Sequence, residues 1–306
     1  MRIDVIINQL AILFFIMGIG YLIIKIKLID IEANKLLSKL VLFVTMPCTI
    51  LNTVMSGNVE ATASDAFIFI AVSFVGFALF HAVAFFIPKI MRCEKKDYGI
   101  YRFAMIYGNA GFMGLPVISA ILGPQSVFYL AIANIPLNCL MYTLGITLIS
   151  GKASKIRLRD ILNPCLVASV LILIIFLTNF KTPRIVTETT RIIGGMTTPG
   201  AMLAIGATLA TIPFREVVTK WRLYITAAMK LLIIPAVTWL VFKPFVSNTL
   251  ILNVLVLVTA MPTAANAALL VLEFGGDEKL GSSLVFITTL LSAVTIPIVT
   301  LLFIII

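Results

Sequence analysis

Hydrophobic positions in this chain come in long unbroken runs rather than in alternating or one-sided patterns. Residues 167–177, VASVLILIIFL, are typical. A helix needs about 20 apolar residues to cross the hydrocarbon core of a bilayer. Ten segments meet that measure: 5–24, 36–56, 65–88, 99–122, 126–149, 160–179, 191–212, 221–242, 248–272 and 281–305. Short polar or Gly/Pro-marked breaks separate them. A transmembrane β-barrel would instead show segments of about ten residues that alternate in polarity. The pattern predicts an all-α membrane protein of ten transmembrane helices. The first run is a full span without the short core and small-residue cleavage site of a signal peptide, so it reads as the first helix.

Composition sharpens this. Of the 306 residues 61% are hydrophobic and 12% charged, with a mean hydropathy of +1.13, which excludes a soluble globular domain of this length. A net charge of +10 raises the question of nucleic acid. The distribution of Lys and Arg over alternate loops answers it: 17 fall on one side and five on the other (Arg2, Lys181, Arg184, Arg191, Lys243), with Lys230 inside a span. The positive-inside rule therefore puts both termini outside and the basic stretch SGKASKIRLRD (150–160) in the cytoplasm. The expectation is a multi-pass protein of the cell (inner) membrane with lipid, and no nucleic acid, as partner. Cys48, Cys93, Cys139 and Cys165 show no paired metal spacing, so neither a metal nor a cofactor is expected.

The central basic stretch divides ten spans into five and five, residues 1–155 and 156–306. An odd number of spans per half forces opposite orientations, that is, two inverted repeats. The halves share their interruptions. Span 2 holds Met46-Pro47 and span 7 Thr198-Pro199; span 4 holds YGNAGFMGLP (107–116) and span 9 TAMPTAANAA (259–268). Matched breaks in corresponding spans point to a transporter with its site at the membrane midplane. Pro116 and Pro262 remove an amide donor each, and Gly108, Gly111 and Gly114 ease departure from helical geometry. The breaks are thus predicted at Pro116 and Pro262, each opening a second half-helix whose free N–H groups attract an anion. Asn109 and Asn266 offer amides beside the breaks, and Thr263 a hydroxyl. Asn134 and Asn138 flank Pro136 in span 5 and either line the site or bond between helices. Lys230 is a substrate counter-charge or an internal tether. His81 is a candidate proton-coupling group, against the plainer reading of a satisfied histidine near a span end.

GNAGFMGLP, after the lead-in Tyr101-Arg102-Phe103-Ala104, together with MPTAANAALLVLEFGGD (261–277), resembles the auxin efflux carrier family, the bacterial relatives of plant PIN proteins in the bile acid/auxin superfamily. The resemblance covers the whole chain. It implies an organic-anion transporter that works by elevator-like alternating access. Spans 1, 2, 6 and 7 would form a dimerising scaffold, giving a homodimer, and spans 3–5 and 8–10 a transport domain. The crossover prolines map onto Pro116 and Pro262, and the substrate-contacting asparagines onto Asn109 and Asn266. Plant members carry a long hydrophilic central loop that this chain lacks, so neither its regulation nor auxin as substrate is implied. Bacterial relatives labelled malate or malonate permeases suggest dicarboxylates.

An enzyme is not expected: no HExxH or GxSxG motif is present, and the spans hold too few acidic residues for a metal or acid/base centre. A channel or membrane sensor is the alternative, since broken helices also build filters. Coupling to H+, to Na+ or to neither is compatible with the sequence. Neither YGNAGFMGLP nor TAMPTAANAA contains the carboxylate that a sodium site favours.

Overall fold

The computed structural model of the chain describes residues 3–57, 59–151, 163–212, 217 and 219–305. Most of the basic stretch expected at 150–160 lies outside the described residues, as do Arg2 and Arg215 of the charge count. The helices are α1 Ile3–Lys25, α2 Ile31–Leu40, α3 Met46–Met55, α4 Ala63–Ile90, α5 Tyr98–Ile106, α6 Leu115–Leu122, α7 Ser126–Leu140, α8 Ile146–Ser150, α9 Pro164–Thr178, α10 Arg184–Gly194, α11 Thr197–Leu209, α12 Trp221–Ala228, α13 Ile234–Phe242, α14 Thr249–Ala260, α15 Ala267–Glu273 and α16 Glu278–Thr300. No strand occurs among the described residues. Seven continuous helical stretches are long and apolar enough to cross a membrane: Asp4–Lys25, Ile31–Met55, Ala63–Ile90, Ser126–Ser150, Arg184–Leu209, Trp221–Phe242 and Glu278–Ile305. Three shorter apolar helices, Ala110–Leu122, Pro164–Thr178 and Thr249–Ala260, fall in the remaining expected spans. Large side chains such as Phe15, Phe86 and Leu240 point outward, as a lipid solvent permits.

Three spans carry a proline that the helix runs through, and Pro116, where the sequence predicts a break, is one of them. Wide π-type turns at Val41–Thr45, Ala110–Gly114 and Met229–Ile233 run directly into Pro47, Pro116 and Pro235, each the second residue of the next α-helix. In two of them the amide just before the proline reaches back five residues, Met46 to Val41 and Ile234 to Met229. A wider turn makes room for the ring and keeps carbonyls paired, so the helix continues through the proline.

The helices gather into two bodies. The first comprises Met1–Ile70, Ala110–Ile135 and Leu162–Thr211, the second Ala71–Asn109, Pro136–Ile161 and Ile212–Ile306. In the first, α1 lies along α11, and α3 packs on α9 and α10. The α1 to α11 crossing is a contact of main chain with main chain. A Cβ on Gly206 would strike the backbone of Met17 and Tyr21, and one on Gly20 that of Leu203. Small residues allow such approach where lipid supplies no hydrophobic drive. Hydroxyls and amides add to the α3 packing: Thr49 Oγ1 donates to the Gly194 carbonyl (2.9 Å) and Asn52 Nδ2 to that of Thr187 (2.9 Å).

In the second body α5 packs on α8, α13 on α14, and α16 on both α12 and α15. Arg222 fastens the end of α4, donating from Nε to the Met91 carbonyl (3.1 Å) and from Nη2 to that of Arg92 (2.9 Å). Around this frame the second body carries two stretches of non-helical chain, 107–109 and 261–264, the latter followed by a turn at 265–266.

Candidate functional site

Helix α5 stops at Ile106 because Tyr107 turns extended, at φ −96° and ψ 113°. Helix α14 stops at Ala260 because Met261, at φ −65° and ψ 143°, precedes Pro262 and is driven out of the helical region by its ring. Backbone freed in this way is costly in hydrocarbon unless it is paired within the protein. The two breaks pair with each other. Gly108 and Thr263 form an antiparallel bridge. The Asn109 N–H donates to the Pro262 carbonyl (2.7 Å), and the Ala264 N–H to the Tyr107 carbonyl (3.0 Å).

Side chains lock this crossing. Thr263 Oγ1 donates to the Ala104 carbonyl (3.0 Å), one of the unpaired carbonyls at the end of α5, and its N–H donates to Thr288 Oγ1 of α16 (3.1 Å). Lys230, 1% exposed, rises from the π turn between α12 and α13 and donates from Nζ to the Ile106 carbonyl (3.4 Å). A methyl on Gly108 would lie 3.3 Å from each of Lys230 Nζ, the Met261 oxygen and the Val258 oxygen. A side chain here would have to push back one of these three groups, which favours glycine.

The break in span 4 falls at 107–109, upstream of the predicted Pro116. Pro116 itself is buried in the first turn of α6, where the π turn accommodates it. The second half of span 9 likewise begins at Ala267 rather than at Pro262, with Asn266 in the N-cap position. Pro262 remains in the extended stretch and serves through its carbonyl.

Asn109, Pro262, Thr263 and Lys230 meet at the crossing. The Asn109 carboxamide is buried and, among the described residues, carries no protein hydrogen bond. Asn266 is half-buried and donates from Nδ2 to the Tyr142 hydroxyl (3.2 Å). Asn138 is buried in the same body, whereas Gly111, Pro116 and Asn134 belong to the first. His81 Nδ1 lies 2.7 Å from the Phe77 carbonyl and therefore carries a hydrogen, while Nε2 faces the Tyr107 hydroxyl at 3.1 Å. That hydroxyl also lies 2.9 Å from the Leu140 carbonyl. When the imidazole is doubly protonated the hydroxyl can donate only to Leu140; when His81 is neutral its one proton is open to Nε2 or to the Leu140 carbonyl.

Tyr107, Tyr142 and Thr288 escaped the sequence reading. Tyr107 stands at the head of the quoted motif, but its partners are remote in sequence. A cavity of about 400 Å³ in the first body was also missed; Thr49, Asn52, Ser119, Gln125, Arg191 and Thr198 are among its lining. Arg191 there is held by Glu188 at 2.9 Å.

Comparison with known proteins agrees with this architecture. The chain is 26% identical to an uncharacterized transporter of Methanocaldococcus jannaschii, over 87% of this chain and 88% of the relative. It is 25% identical to an uncharacterized transporter of Methanothermobacter thermautotrophicus, over 91% and 92%. A Rhizobium meliloti protein named "Putative malonate transporter" is 24% identical over 92% of this chain and 91% of its own. Residues 5–300 match the family described as membrane transport protein. With its helices apolar enough to span a bilayer and both broken-span motifs in place, the chain belongs to that family, the auxin efflux carriers, and is a transporter rather than an enzyme.

Proposed function

We propose that the protein is a secondary transporter for a small organic anion, a carboxylate or dicarboxylate, bound at the crossing of spans 4 and 9. The observation that carries the reading is the crossing itself: two interrupted helices that pair through Gly108 and Thr263, with the buried Lys230 beside them. A break of this kind persists in a membrane where it is buried in protein or lines a solute site, and matched breaks in two corresponding spans favour the second. Asn109 and Asn266 supply amide donors to the carboxylate, Pro262 and Thr263 hold the backbone, and Gly111, Pro116, Asn134 and Asn138 belong to the wider site. The name of the Rhizobium relative makes malonate the first probe.

The chain then has ten spans in two inverted repeats, 1–155 and 156–306, with both termini outside the inner membrane. A further matched pair supports the repeat. Pro136 precedes the π turn Met141–Gly145 in span 5, and Pro297 precedes Leu301–Ile305 in span 10. Spans 1, 2, 6 and 7 serve as the scaffold of a homodimer, and spans 3–5 and 8–10 move as an elevator. This assigns to the moving part residues 110–135, which cluster with the first body. The coupling ion is a proton at His81, whose charge state redirects the Tyr107 hydroxyl.

Exchange of labelled malonate and other mono- and dicarboxylates by reconstituted protein tests the reading. Wild type should show saturable exchange stimulated by substrate on the far side. Asn109→Ala and Asn266→Ala should abolish it at unchanged melting temperature. Wild-type kinetics in both variants would refute the site, and non-saturable flux would favour a channel. Loss of pH-gradient-driven uptake in His81→Gln, with exchange retained, is expected if His81 couples protons; a retained pH response would remove that assignment.

A further inference from the structure

We propose that the cavity of the first body is a second binding site for a small carboxylate, held at Arg191, and that its occupant arrests the carrier. The arrest rests on the elevator reading; the site stands on the cavity alone.

A volume of about 400 Å³ lies in the range that small-molecule sites occupy. The lining is rich in donors and carries one sign of charge. Six of its fourteen residues bear a hydroxyl and two a carboxamide, Arg191 is permanently cationic, and none is acidic. Some of these groups are spent within the fold: Thr49 Oγ1 donates to the Gly194 carbonyl and Asn52 Nδ2 to that of Thr187. Others are not. Among the described residues the side chains of Ser119 in α6, Gln125 in the turn before α7 and Thr198 in α11 form no hydrogen bond. All three are half-buried, and their polar atoms remain accessible. Arg191, in the last turn of α10, gives only Nε to Glu188 (2.9 Å), which leaves both Nη groups for another acceptor. Such paired donors match the two oxygens of a carboxylate. The guanidinium, 60% exposed, meets an arriving anion at the mouth, and the neutral donors receive the rest of it.

Asn109, Pro262, Thr263 and Asn266 do not line this cavity, so it is separate from the crossing. Its walls come from distant parts of the chain. Asn52 lies in span 2, Arg191 and Thr198 in span 7, Ser119 in span 4 and Gln125 in the turn that follows. In the proposed elevator spans 2 and 7 are scaffold and span 4 moves. A ligand that bonds both sets favours the arrangement in which they enclose it, by its differential affinity for that state. Ser56, Gln125 and Arg191 all stand at span ends that the charge distribution assigns to the outer side, so external anion fills the site.

The test is calorimetric titration of purified protein with malonate and with its neutral analogue malonamide, followed by exchange in proteoliposomes. Wild type should bind malonate at two sites and Arg191→Gln at one. In Asn109→Ala, which disables the crossing, one malonate site should remain, and adding Arg191→Gln should weaken it about tenfold or more. Glu188→Gln keeps the guanidinium and removes its present partner, so it should bind malonate at least as tightly as wild type. Malonamide should leave the site empty. Wild-type exchange should rise and then fall as external malonate increases, and Arg191→Gln should keep the rise and lose the fall. Equal malonate binding with and without Arg191, or equal binding of malonamide, would overturn the proposal. So would complete loss of exchange in Arg191→Gln, which would make the cavity the transport site itself. If Asn109→Ala does not fold, the change from two sites to one between wild type and Arg191→Gln decides alone. An exchange curve without a fall would remove the arrest. Absence of any exchange, with malonate binding dependent on Arg191, would count against the transporter reading and leave the site standing.

Discussion

Two glycines three residues apart in the same motif should behave oppositely. Gly108→Ala adds a methyl 3.3 Å from Lys230 Nζ and from two main-chain oxygens, Val258 and Met261. Such contacts are tighter than ordinary packing. The oxygens belong to a helix end and cannot swing aside, and the lysine head can move only by giving up the Ile106 carbonyl. Gly108 is not among the positive-φ residues, so alanine meets no backbone strain and the cost is steric. Overpacking of this kind costs about 1–3 kcal/mol, and roughly 2–4 °C of melting temperature accompanies each kcal/mol in a domain of this size class. A loss of about 2–12 °C follows. Gly111→Ala, by contrast, meets only the Met46 Cε and Sδ atoms at 3.8 Å, an ordinary contact with a flexible side chain, and should melt within a degree or two of wild type. The assay is thermal unfolding of the purified variants by the fluorescence of Trp221 and Trp239, beside anion exchange. Gly108→Ala should also lose exchange, because the bridge must widen. An unaltered Gly108→Ala, or a Gly111→Ala equally damaged, would refute the close approach at the crossing.

Thr263→Val keeps shape but removes the hydroxyl that satisfies the Ala104 carbonyl; a loss of about 1 kcal/mol, or roughly 2–4 °C, is expected, and a neutral result would argue against that bond. Gly206→Val drives a Cβ bearing two methyl groups toward the Met17 and Tyr21 backbone, so α1 should separate from α11 and the purified protein should lose folded yield and melting temperature, a wild-type profile being the contrary result. Asp97, in the turn Lys95–Asp97 outside the spans, has its carboxyl held above the usual value by burial, against the opposing pull of Lys96. The folded state thus binds the proton more readily than the unfolded one, and stability due to this group grows as pH falls. Asp97→Asn should therefore be more stable than wild type near neutrality, the gap closing as pH is lowered to about 4; a gap independent of pH would contradict the sign.

Membrane residence and the helical class followed from the sequence alone, because a bilayer demands long apolar runs and the run lengths are local composition. The interruptions were legible for the same reason: YGNAGFMGLP and TAMPTAANAA depart from their apolar surroundings wherever the chain folds. The position of the first break was not. Pro116 has the intrinsic capacity to end a helix, yet the wide turn at Ala110–Gly114 absorbs its missing donor. The chain instead leaves the helix at Tyr107–Asn109, where Gly108 finds a partner in Thr263. Nothing within ten residues of Gly108 announces that partner, since it lies in the other half of the sequence. The same holds for Lys230 with Ile106, His81 with Tyr107 and Asn266 with Tyr142. Each pair costs free energy if left unmade in a medium without water, so packing had to bring them together, and only the folded chain determines which polar group answers which.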